Sequence, residues 1–318
     1  MPTKLLSLTP DALLMMDAIA RNGSFAAAAR ELGRVPSALT YSVRQLEESL
    51  DVLLFDRRTG QAKLTPAGQE LLTEGRRLLV QLNGVANRVR RVATGWEAEL
   101  TLAVDGVLCA RTVMELVQAF YSQGEPPTRL KCGTEVLAGT WEALISGQAD
   151  LAVGVALGTM APPPGVELEP LGELPFVYTV APHHPLAARP SPLSDEDLLA
   201  HRAVAVADTA ASLSPLTVNL LPGQSVLTVS STQDKLQALL LGLGGGFLPQ
   251  PLVAPWLRSG HLVEKALLRP APTAAFGYAW RRPAPGAPVG HALQWWLNRL
   301  ASDTTRQALL QPEAGVRA

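Results

Sequence analysis

Hydroxyl and guanidinium side chains recur in a short stretch near the N-terminus, with the spacing of one face of a helix. The helix is predicted to run from near Ser37 to about Leu50, because Pro36 is tolerated only in a first turn. Its buried stripe is predicted to be Leu39, Val43, Leu46 and Leu50, spaced by four, three and four. The side chains left on or near the other side are Arg34, Ser37, Thr40, Tyr41 and Arg44. Such donors read base edges in the DNA major groove, so the stretch predicts a recognition helix.

Two helices are predicted to precede the recognition helix and to support it. Thr9 followed by Pro10 is typical of a helix start, and the apolar face of this first helix ends before Gly23. Ser24 can cap a second helix that runs through Leu32 and contains four consecutive alanines. Gly33 then supplies the positive φ that commonly ends a helix. Three helices are therefore expected by residue 50.

A short basic hairpin is predicted after the recognition helix. Arg57 and Arg58 lie close to the turn residue Gly60, and Lys63 follows them. Phosphates lie beside the groove that the helix would enter, so these cations are expected to contact them. Residues 1–65 are therefore predicted to form a winged helix-turn-helix that binds double-stranded DNA.

The same residues resemble the DNA-binding domain of the LysR-type transcriptional regulators of bacteria. The matched positions, in order, are Gly23-Ser24-Phe25, Ala28-Ala29, Leu32, Thr40, Leu46-Glu47, Leu54-Phe55, Arg57 and Leu64-Thr65-Pro66-Ala67-Gly68. The runs GRVPSALTY, TEVLAGTWE and AVADTA are similar to one branch of that family, typified by an enterobacterial regulator. The chain departs from the family at Val35-Pro36, where Ser-Gln is common; Pro36 keeps the ability to contact a thymine methyl.

The resemblance implies an α/β multi-domain protein with three parts. These are an N-terminal winged helix-turn-helix, a long linker helix, and a C-terminal two-lobed effector domain like a type 2 periplasmic binding protein. The expected boundaries are 1–65 for the head, 66–95 for the linker, 96–303 for the effector domain and 304–318 for a C-terminal tail. Lobe one would take 97–168 and 272–303, and lobe two 169–271. The implied partners are promoter DNA, a small-molecule effector and RNA polymerase, with dimers pairing into tetramers.

The linker helix carries an apolar stripe at heptad spacing. Its members alternate by four and three residues: Leu71, Gly75, Leu78, Leu82, Val85, Val89 and Val92. A helix projecting from a small head cannot bury such a stripe within its own domain, so we expect a dimer contact made by Leu71, Leu78, Leu82, Val85 and Val89. The alternative is an intramolecular seam against the first helix or the body.

The body alternates short strands and helices, which predicts an α/β architecture with largely parallel sheets. The predicted strands are 99–104, 129–134, 151–155, 176–181, 203–207, 226–230 and 276–281. The predicted helices include 112–121, 140–146, 232–241 and 291–301. The resemblance implies that the chain crosses between the lobes near 167–176 and 262–275.

A ligand cleft is predicted where loops follow the strands, since ligands of open α/β sheets bind beyond the carboxyl ends. The residues selected by this rule are Asp105, Gly106, Val107, Glu135, Val136, Leu137, Asp208, Thr209, Ser231 and Thr232. Phe247, which follows the glycine run, is expected to supply apolar wall. The alternative is that each polar residue merely caps a helix, which is the favoured interpretation for Ser231 or Thr232 taken alone. For the loops as a set, lining of the cleft is favoured.

The charges of that set indicate the chemistry of the effector. Asp105, Glu135 and Asp208 would place three acids in the cleft without an obvious facing arginine, which disfavours a simple carboxylate. A hydroxylated or aminated molecule, partly apolar so that it packs on Phe247, is therefore expected. Glu135 and Asp208 follow strands of opposite lobes and are the expected effector contacts.

Charge is distributed unevenly along the 318 residues, which are too many for one winged helix. Residues 1–94 carry 13 Lys and Arg against 9 Asp and Glu, whereas the remainder carries 14 against 19. A basic head on an acidic body is typical of a DNA-binding module joined to a part that does not touch DNA.

Other classes of protein are less consistent with the sequence. The run Leu243-Gly244-Gly245-Gly246 lacks the lysine and hydroxyl of a phosphate loop, and His183-His184 has no spaced metal-ligand partners. No enzyme activity, metal or cofactor is therefore expected; the alternative is a two-lobed α/β enzyme or solute-binding protein with a fused DNA-binding head. A cytoplasmic location is expected because no leader is recognised and glycines and prolines interrupt the uncharged run 236–257. Cys109 and Cys132 are expected to be small buried residues, with a redox role as the alternative.

Overall fold

The computed structural model describes residues 7–56, 62–213, 216, 218–282 and 288–311. The chain divides into two compact units, Met1–Val89 and Arg90–Ala318. The first unit contains the predicted head, and the second contains the predicted effector domain. The long linker helix contributes residues to both units.

The first unit has the predicted order of helices followed by a hairpin. Its elements are α1 (Pro10–Asn22), α2 (Phe25–Glu31), α3 (Pro36–Leu50), β1 (Phe55–Asp56), β2 (Lys63–Leu64) and α4 (Pro66–Thr94). The predicted helix signals are confirmed, because Thr9 Oγ1 accepts from the Ala12 amide at 3.2 Å and Ser24 caps α2. Gly33 adopts φ of 64° after α2. Strands β1 and β2 pair antiparallel, with Phe55 opposite Leu64 and Asp56 opposite Lys63.

One side of α3 is fixed in the core of the head. Leu39 and Val43 are fully buried, Leu46 is nearly so, and Leu50 packs at the edge of the same cluster. The buried Glu47 carboxylate accepts from the Leu54 and Phe55 amides at 2.8 and 3.2 Å. These bonds tie the start of β1 to α3, so the hairpin and the recognition helix are held in one geometry.

The second unit alternates strands and helices as predicted. Its first part comprises β3 (Glu99–Asp105), α5 (Ala110–Tyr121), β4 (Arg129–Glu135), α6 (Gly139–Ser146), β5 (Leu151–Ala156) and β6 (Val166–Val180). Its middle part comprises α7 (Pro185–Ala188), α8 (Asp195–Leu199), β7 (Ala203–Val206), β8 (Val226–Val229), α9 (Thr232–Leu240), β9 (Gly246–Pro249), α10 (Gln250–Arg258) and β10 (Val263–Glu264). Its last elements are β11 (Thr273–Arg281), α11 (His291–Leu300) and α12 (Asp303–Leu310).

Strand β6 belongs to both lobes. Its residues 166–175 pair antiparallel with β11, next to β5, β3 and β4, whereas residues 176–180 pair with β9 and β10. The predicted crossing near 167–176 therefore lies within one continuous strand. Lobe one is built on β3, β4, β5 and the first part of β6, and lobe two on the second part of β6 with β7 to β10.

Two expectations about this unit are corrected. The sheets are mixed rather than largely parallel: β3 pairs parallel with β4 and β5, but β11 runs antiparallel to both of its neighbours, because the crossing strands return between the lobes. Residues 304–310, assigned to the tail 304–318, belong to α12 instead. Leu309 and Leu310 are buried in the core of lobe one, and this burial fixes the helix.

Within the described residues, no helix combines the length and apolar character needed to cross a bilayer.

Candidate DNA interface and ligand cavity

The exposed face of α3 carries most of the predicted DNA-reading side chains. Ser37, Tyr41 and Arg44 are exposed, and Tyr41 retains 63% of its accessible surface. Thr40 is half-buried and its hydroxyl donates to the Pro36 carbonyl at 3.0 Å, so its free lone pairs and methyl remain for recognition. Pro36 is the first residue of the helix and is also exposed.

Two side chains on or near this face have partners within the head. Arg34 donates to both carboxylate oxygens of Asp11, at 2.9 and 3.0 Å, so it must leave Asp11 or share it to reach a phosphate. Gln45 donates to the Tyr41 hydroxyl at 2.8 Å. The sequence analysis missed Gln45, although its position four residues after Tyr41 places both on one helix face.

The wing contributes one described cation. Lys63 is exposed on β2, opposite Asp56 in the hairpin register. The predicted contacts Arg57 and Arg58 lie outside the described residues. Lys63 is therefore the wing residue on which a phosphate contact can be argued.

The apolar stripe of α4 has two parts with different surroundings. Leu71 packs on the head core, and a Cβ on Gly75 would come within 2.8 Å of Leu13 in α1. The start of the stripe therefore packs within the head, which agrees with the alternative of an intramolecular seam against the first helix. Packing of Leu71 on the head core is less consistent with the dimer contact expected for it. Leu78, Leu82, Val85 and Val89 remain between 46 and 66% exposed.

A cavity of about 590 Å³ lies between the two lobes of the second unit. The predicted ligand residues that line it are Asp105, Val107, Val136, Leu137, Asp208, Thr232 and Phe247. The predicted residues outside its lining are Gly106, Glu135, Thr209 and Ser231. Ser231 instead caps α9, accepting from the Asp234 amide at 3.0 Å.

Several of the predicted residues connect the lobes to each other. Thr209 donates its hydroxyl to Glu135 at 2.6 Å and accepts from the Val136 amide at 3.0 Å. Asp208 accepts from the Ala138 amide at 3.3 Å. A Cβ on Gly139 would overlap the Thr209 hydroxyl, so glycine is required for this approach. Glu135 and Asp208 were expected to meet the effector, but their carboxylates already accept hydrogen bonds from the protein.

Glu142 of α6 strengthens the same connection, and the sequence analysis did not identify it. Its carboxylate accepts from three successive amides, those of Ala211, Ser212 and Leu213, at 2.8 to 3.1 Å. Although burial opposes ionisation, these three hydrogen bonds lower the pKa of Glu142. We call residues 135–138 and Glu142, together with 208–213, the inter-lobe latch.

Asp105 lies at the wall of the cavity and is 5% exposed. It accepts from the Val107 amide at 2.9 Å and the Leu137 amide at 3.2 Å. Burial raises the pKa of Asp105 to about 7, with hydrogen bonds opposing the shift and the charges of Asp208 and Glu135 adding to it. Asp105 therefore holds a proton to higher pH than a solvent-exposed aspartate does.

The cavity also holds two cations, which corrects the expectation of an acidic cleft without a facing arginine. Lys235 of α9 and Arg269, which follows β10, both line it. Lys235 lies on the helix face turned toward β9, and Arg269 lies over the Phe247 ring, 5.8 Å from its centroid. Neither residue was predicted from the sequence, because they come from a helix and a loop rather than from the ends of predicted strands.

Neither cysteine is buried as expected. In the described part of the chain, no three His, Cys, Asp or Glu side chains are placed to hold a metal ion. Cys109 is half-buried and Cys132 exposed, and both are free, so the expectation that both are buried is wrong. Cys132 is exposed because it lies on β4, the edge strand of the sheet.

Comparison with known proteins identifies both units. Residues 10–69 match the family described as "Bacterial regulatory helix-turn-helix protein, lysR family". Residues 93–304 match the "LysR substrate binding domain". The two matched regions agree with the head and the two-lobed domain of the structure, and the second ends at the start of α12.

Similar proteins cover nearly the whole chain. The probable HTH-type transcriptional regulator YhaJ of Escherichia coli K12, from the branch indicated by the sequence, is 40% identical over 92% of this chain and 96% of its own length. PunR, an HTH-type transcriptional regulator of the same strain, is 35% identical over 95% of this chain and 96% of its own. A crystal structure of full-length CbnR shares the fold, with a TM-score of 0.57 at 18% identity over 91% of this chain and 98% of that one. This chain belongs to the LysR family of transcriptional regulators.

Proposed function

We propose that the protein binds promoter DNA through α3 and the β1–β2 hairpin, and that a small molecule in the inter-lobe cavity changes that binding. The two units divide the work, because the first carries the exposed recognition face and the second carries the cavity. A ligand can bias the lobes only if it binds one of their arrangements more tightly. The CbnR structure, which contains its target DNA, supports the assignment of the head.

The exposed face of α3 is the observation that carries the DNA-binding part. Ser37, Tyr41 and Arg44 are exposed on a helix whose other side is fixed in the core, so the donors are held in place without being used by the fold. Arg44 makes no hydrogen bond or ion pair with another described residue, which leaves its guanidinium available for a guanine edge or a phosphate. The exposed Lys63 in the hairpin is suited to an adjacent phosphate.

The test is a DNA-binding measurement on sequences selected from a random double-stranded library by the wild-type protein. Arg44→Ala should lower affinity by about 1–3 kcal/mol and relax preference at specific base positions. Lys63→Ala should weaken binding similarly for all sequences and reduce the salt slope by about one. Fluorescence anisotropy at several salt concentrations measures both effects.

Arg77→Ala provides the charge-matched control. Arg77 is exposed on α4 and pairs with Glu74 in the adjacent turn, so its loss removes a positive charge without touching α3 or the hairpin. It should leave selectivity unchanged. Selected DNA that binds equally well to the Arg44 and Lys63 variants and to the wild type would contradict the assignment of the DNA-binding face.

A further inference from the structure

Donors without acceptors are concentrated in lobe two of the cavity. Lys235 lines the cavity and makes no hydrogen bond or ion pair with any residue that the structure describes. The Tyr178 hydroxyl is buried with no hydrogen-bond partner among those residues, and the buried Arg269 Nε forms only an ion pair with Asp195, 3.5 Å away. A buried donor that lacks an acceptor costs free energy, so such groups commonly indicate where a ligand binds.

The segment 245–247 brings these donors into one region. A Cβ on Gly245 would overlap the Tyr178 hydroxyl, and a Cβ on Gly246 would lie 3.0 Å from Lys235 Cε and 3.4 Å from Nζ. Phe247 packs edge-on against Tyr178, with ring centroids 5.3 Å apart, and its face lies under Arg269. The two glycines, Gly245 before β9 and Gly246 at its start, therefore leave room for the Tyr178 hydroxyl and the Lys235 amine at adjacent backbone positions.

The charges in this region favour an anion. Arg269 is partly balanced by Asp195, 3.5 Å away, whereas Lys235 has no described counter-charge. Asp105 and Asp208 also line the cavity, but their carboxylates accept backbone amides of the loops that hold them. Lys235 is thus the cation left for a ligand to neutralise.

We propose that the cavity binds an organic carboxylate, with Lys235 neutralising its charge and Tyr178 and Arg269 donating hydrogen bonds to its acceptor oxygens. The ligand has an apolar body, because Phe176, Phe276, Val204 and Leu248 form much of the wall. Burial lowers the pKa of Lys235 to about 8 and raises that of Tyr178 to about 12, so both are donors at neutral pH. This assignment rests on the proposed function, since it names the chemical class of the effector.

The first test needs no ligand. Lys235→Met keeps the length and apolar stem of the side chain and removes a half-buried charge that has no described partner, so the ligand-free variant should unfold at a higher temperature than the wild type. Lys131→Met is the matched control, because Lys131 pairs with Glu99 on the surface and its loss should change little. A lowered unfolding temperature for Lys235→Met would mean that the protein itself already satisfies Lys235, and would overturn the proposal.

The second test uses three molecules of similar shape and different charge: phenylacetate, phenylacetamide and phenethylamine. At equal ionic strength and tens of millimolar, phenylacetate should raise the unfolding temperature of the wild type most. Lys235→Met should bind it more weakly by on the order of tenfold or more, the loss typical of one charged hydrogen bond. Tyr178→Phe should also weaken binding, because it removes one donor and keeps the ring.

Other outcomes would overturn the assignment. These are the absence of any shift with phenylacetate, a stronger effect of the neutral amide or the amine, and equal responses of the wild type and Lys235→Met. Binding of selected DNA is measured in parallel without added carboxylate, and Lys131→Met should bind that DNA as the wild type does. If the wild type binds no DNA selectively, the proposed function is contradicted. The carboxylate test is independent of that result, because it measures the unfolding temperature of the protein without DNA.

Discussion

At the residue scale, Asp105 is held in a place that opposes its ionisation. It is buried at the cavity wall, where its pKa is raised to about 7. In the unfolded chain its pKa returns to near 3.8, so between about pH 4 and pH 7 the folded state binds more protons than the unfolded state. The contribution of Asp105 to stability therefore falls as pH rises through this range, and is constant above it.

We predict that replacing Asp105 with Asn removes this pH dependence. The stability of the wild type relative to Asp105→Asn should decrease between about pH 4 and pH 7, by up to about 4 kcal/mol. Unfolding of both proteins followed over this pH range measures the difference, in which the titration of all other groups cancels. A difference that is flat with pH, or that grows, would show that the Asp105 carboxyl is not desolvated.

At the element scale, α3 begins without a side-chain cap. Val35 occupies the N-cap position with extended backbone angles, φ −86° and ψ 144°, but has no oxygen to accept an amide of the first turn. Val35 is 62% exposed, so its side chain adds little to the core. This is the position at which the chain departs from the family pattern.

We predict that Val35→Ser stabilises the head by about 1 kcal/mol, because the serine hydroxyl can accept an amide hydrogen bond from the first turn. The expected observation is a rise in the melting temperature of the transition that involves residues 7–56. Val35→Ala is the control, since it shortens the side chain without supplying an acceptor. Equal melting temperatures for the two variants would contradict the capping argument.

The exposed part of the α4 stripe leads to a prediction about assembly. Leu78 and Leu82 are almost half exposed on α4, at successive positions of its apolar stripe. If they pack on a second copy of α4, Leu78→Asp with Leu82→Asp would bury charge in the contact and cost several kcal/mol. Light scattering should then show a smaller particle.

Gln81→Asp with Asn83→Asp is the matched control for that experiment. Both residues are exposed on α4 between positions of the stripe, so the variant adds the same charge to the same turns. Its mass should equal that of the wild type. If the variant with Asp at both Leu78 and Leu82 also keeps the wild-type assembly mass, these two residues are excluded from the self-association contact.

The elements could largely be predicted from the sequence, because their signals are local. Thr9 with Pro10, Ser24 and Gly33 each act within one turn, and the structure confirms them. The ligand site depends on contacts between distant parts of the chain. Lys235 and Arg269 are separated by β9, α10 and β10, and only the folded lobe brings both to Phe247 and Gly246. The division of the α4 stripe had no local signal either, since Leu71 matches the heptad but packs on the head.

At the scale of the whole molecule, the inter-lobe latch joins the two lobes through hydrogen bonds beyond their shared strands. We predict that Glu142→Gln weakens the inter-lobe latch. The glutamine amide has one acceptor oxygen, whereas the Glu142 carboxylate has two oxygens that accept from three backbone amides. The Ala211, Ser212 and Leu213 amides should exchange faster with deuterium. Glu115→Gln, which alters an exposed pair with Arg111, is the control. Unchanged exchange in the Glu142 variant would show that other contacts close the lobes.

The inter-lobe latch also has a consequence for the rates at which a ligand enters and leaves the cavity. We predict that a ligand passes between the lobes once the hydrogen bonds of Thr209, Asp208 and Glu142, which join the lobes, have separated. The observed rate of ligand association should therefore rise with ligand concentration and then level off at the opening rate. Occupancy would then persist through brief falls in ligand concentration, since the same bonds must break before the ligand leaves. The protein would then respond to the ligand concentration averaged over the time for which the two lobes stay closed.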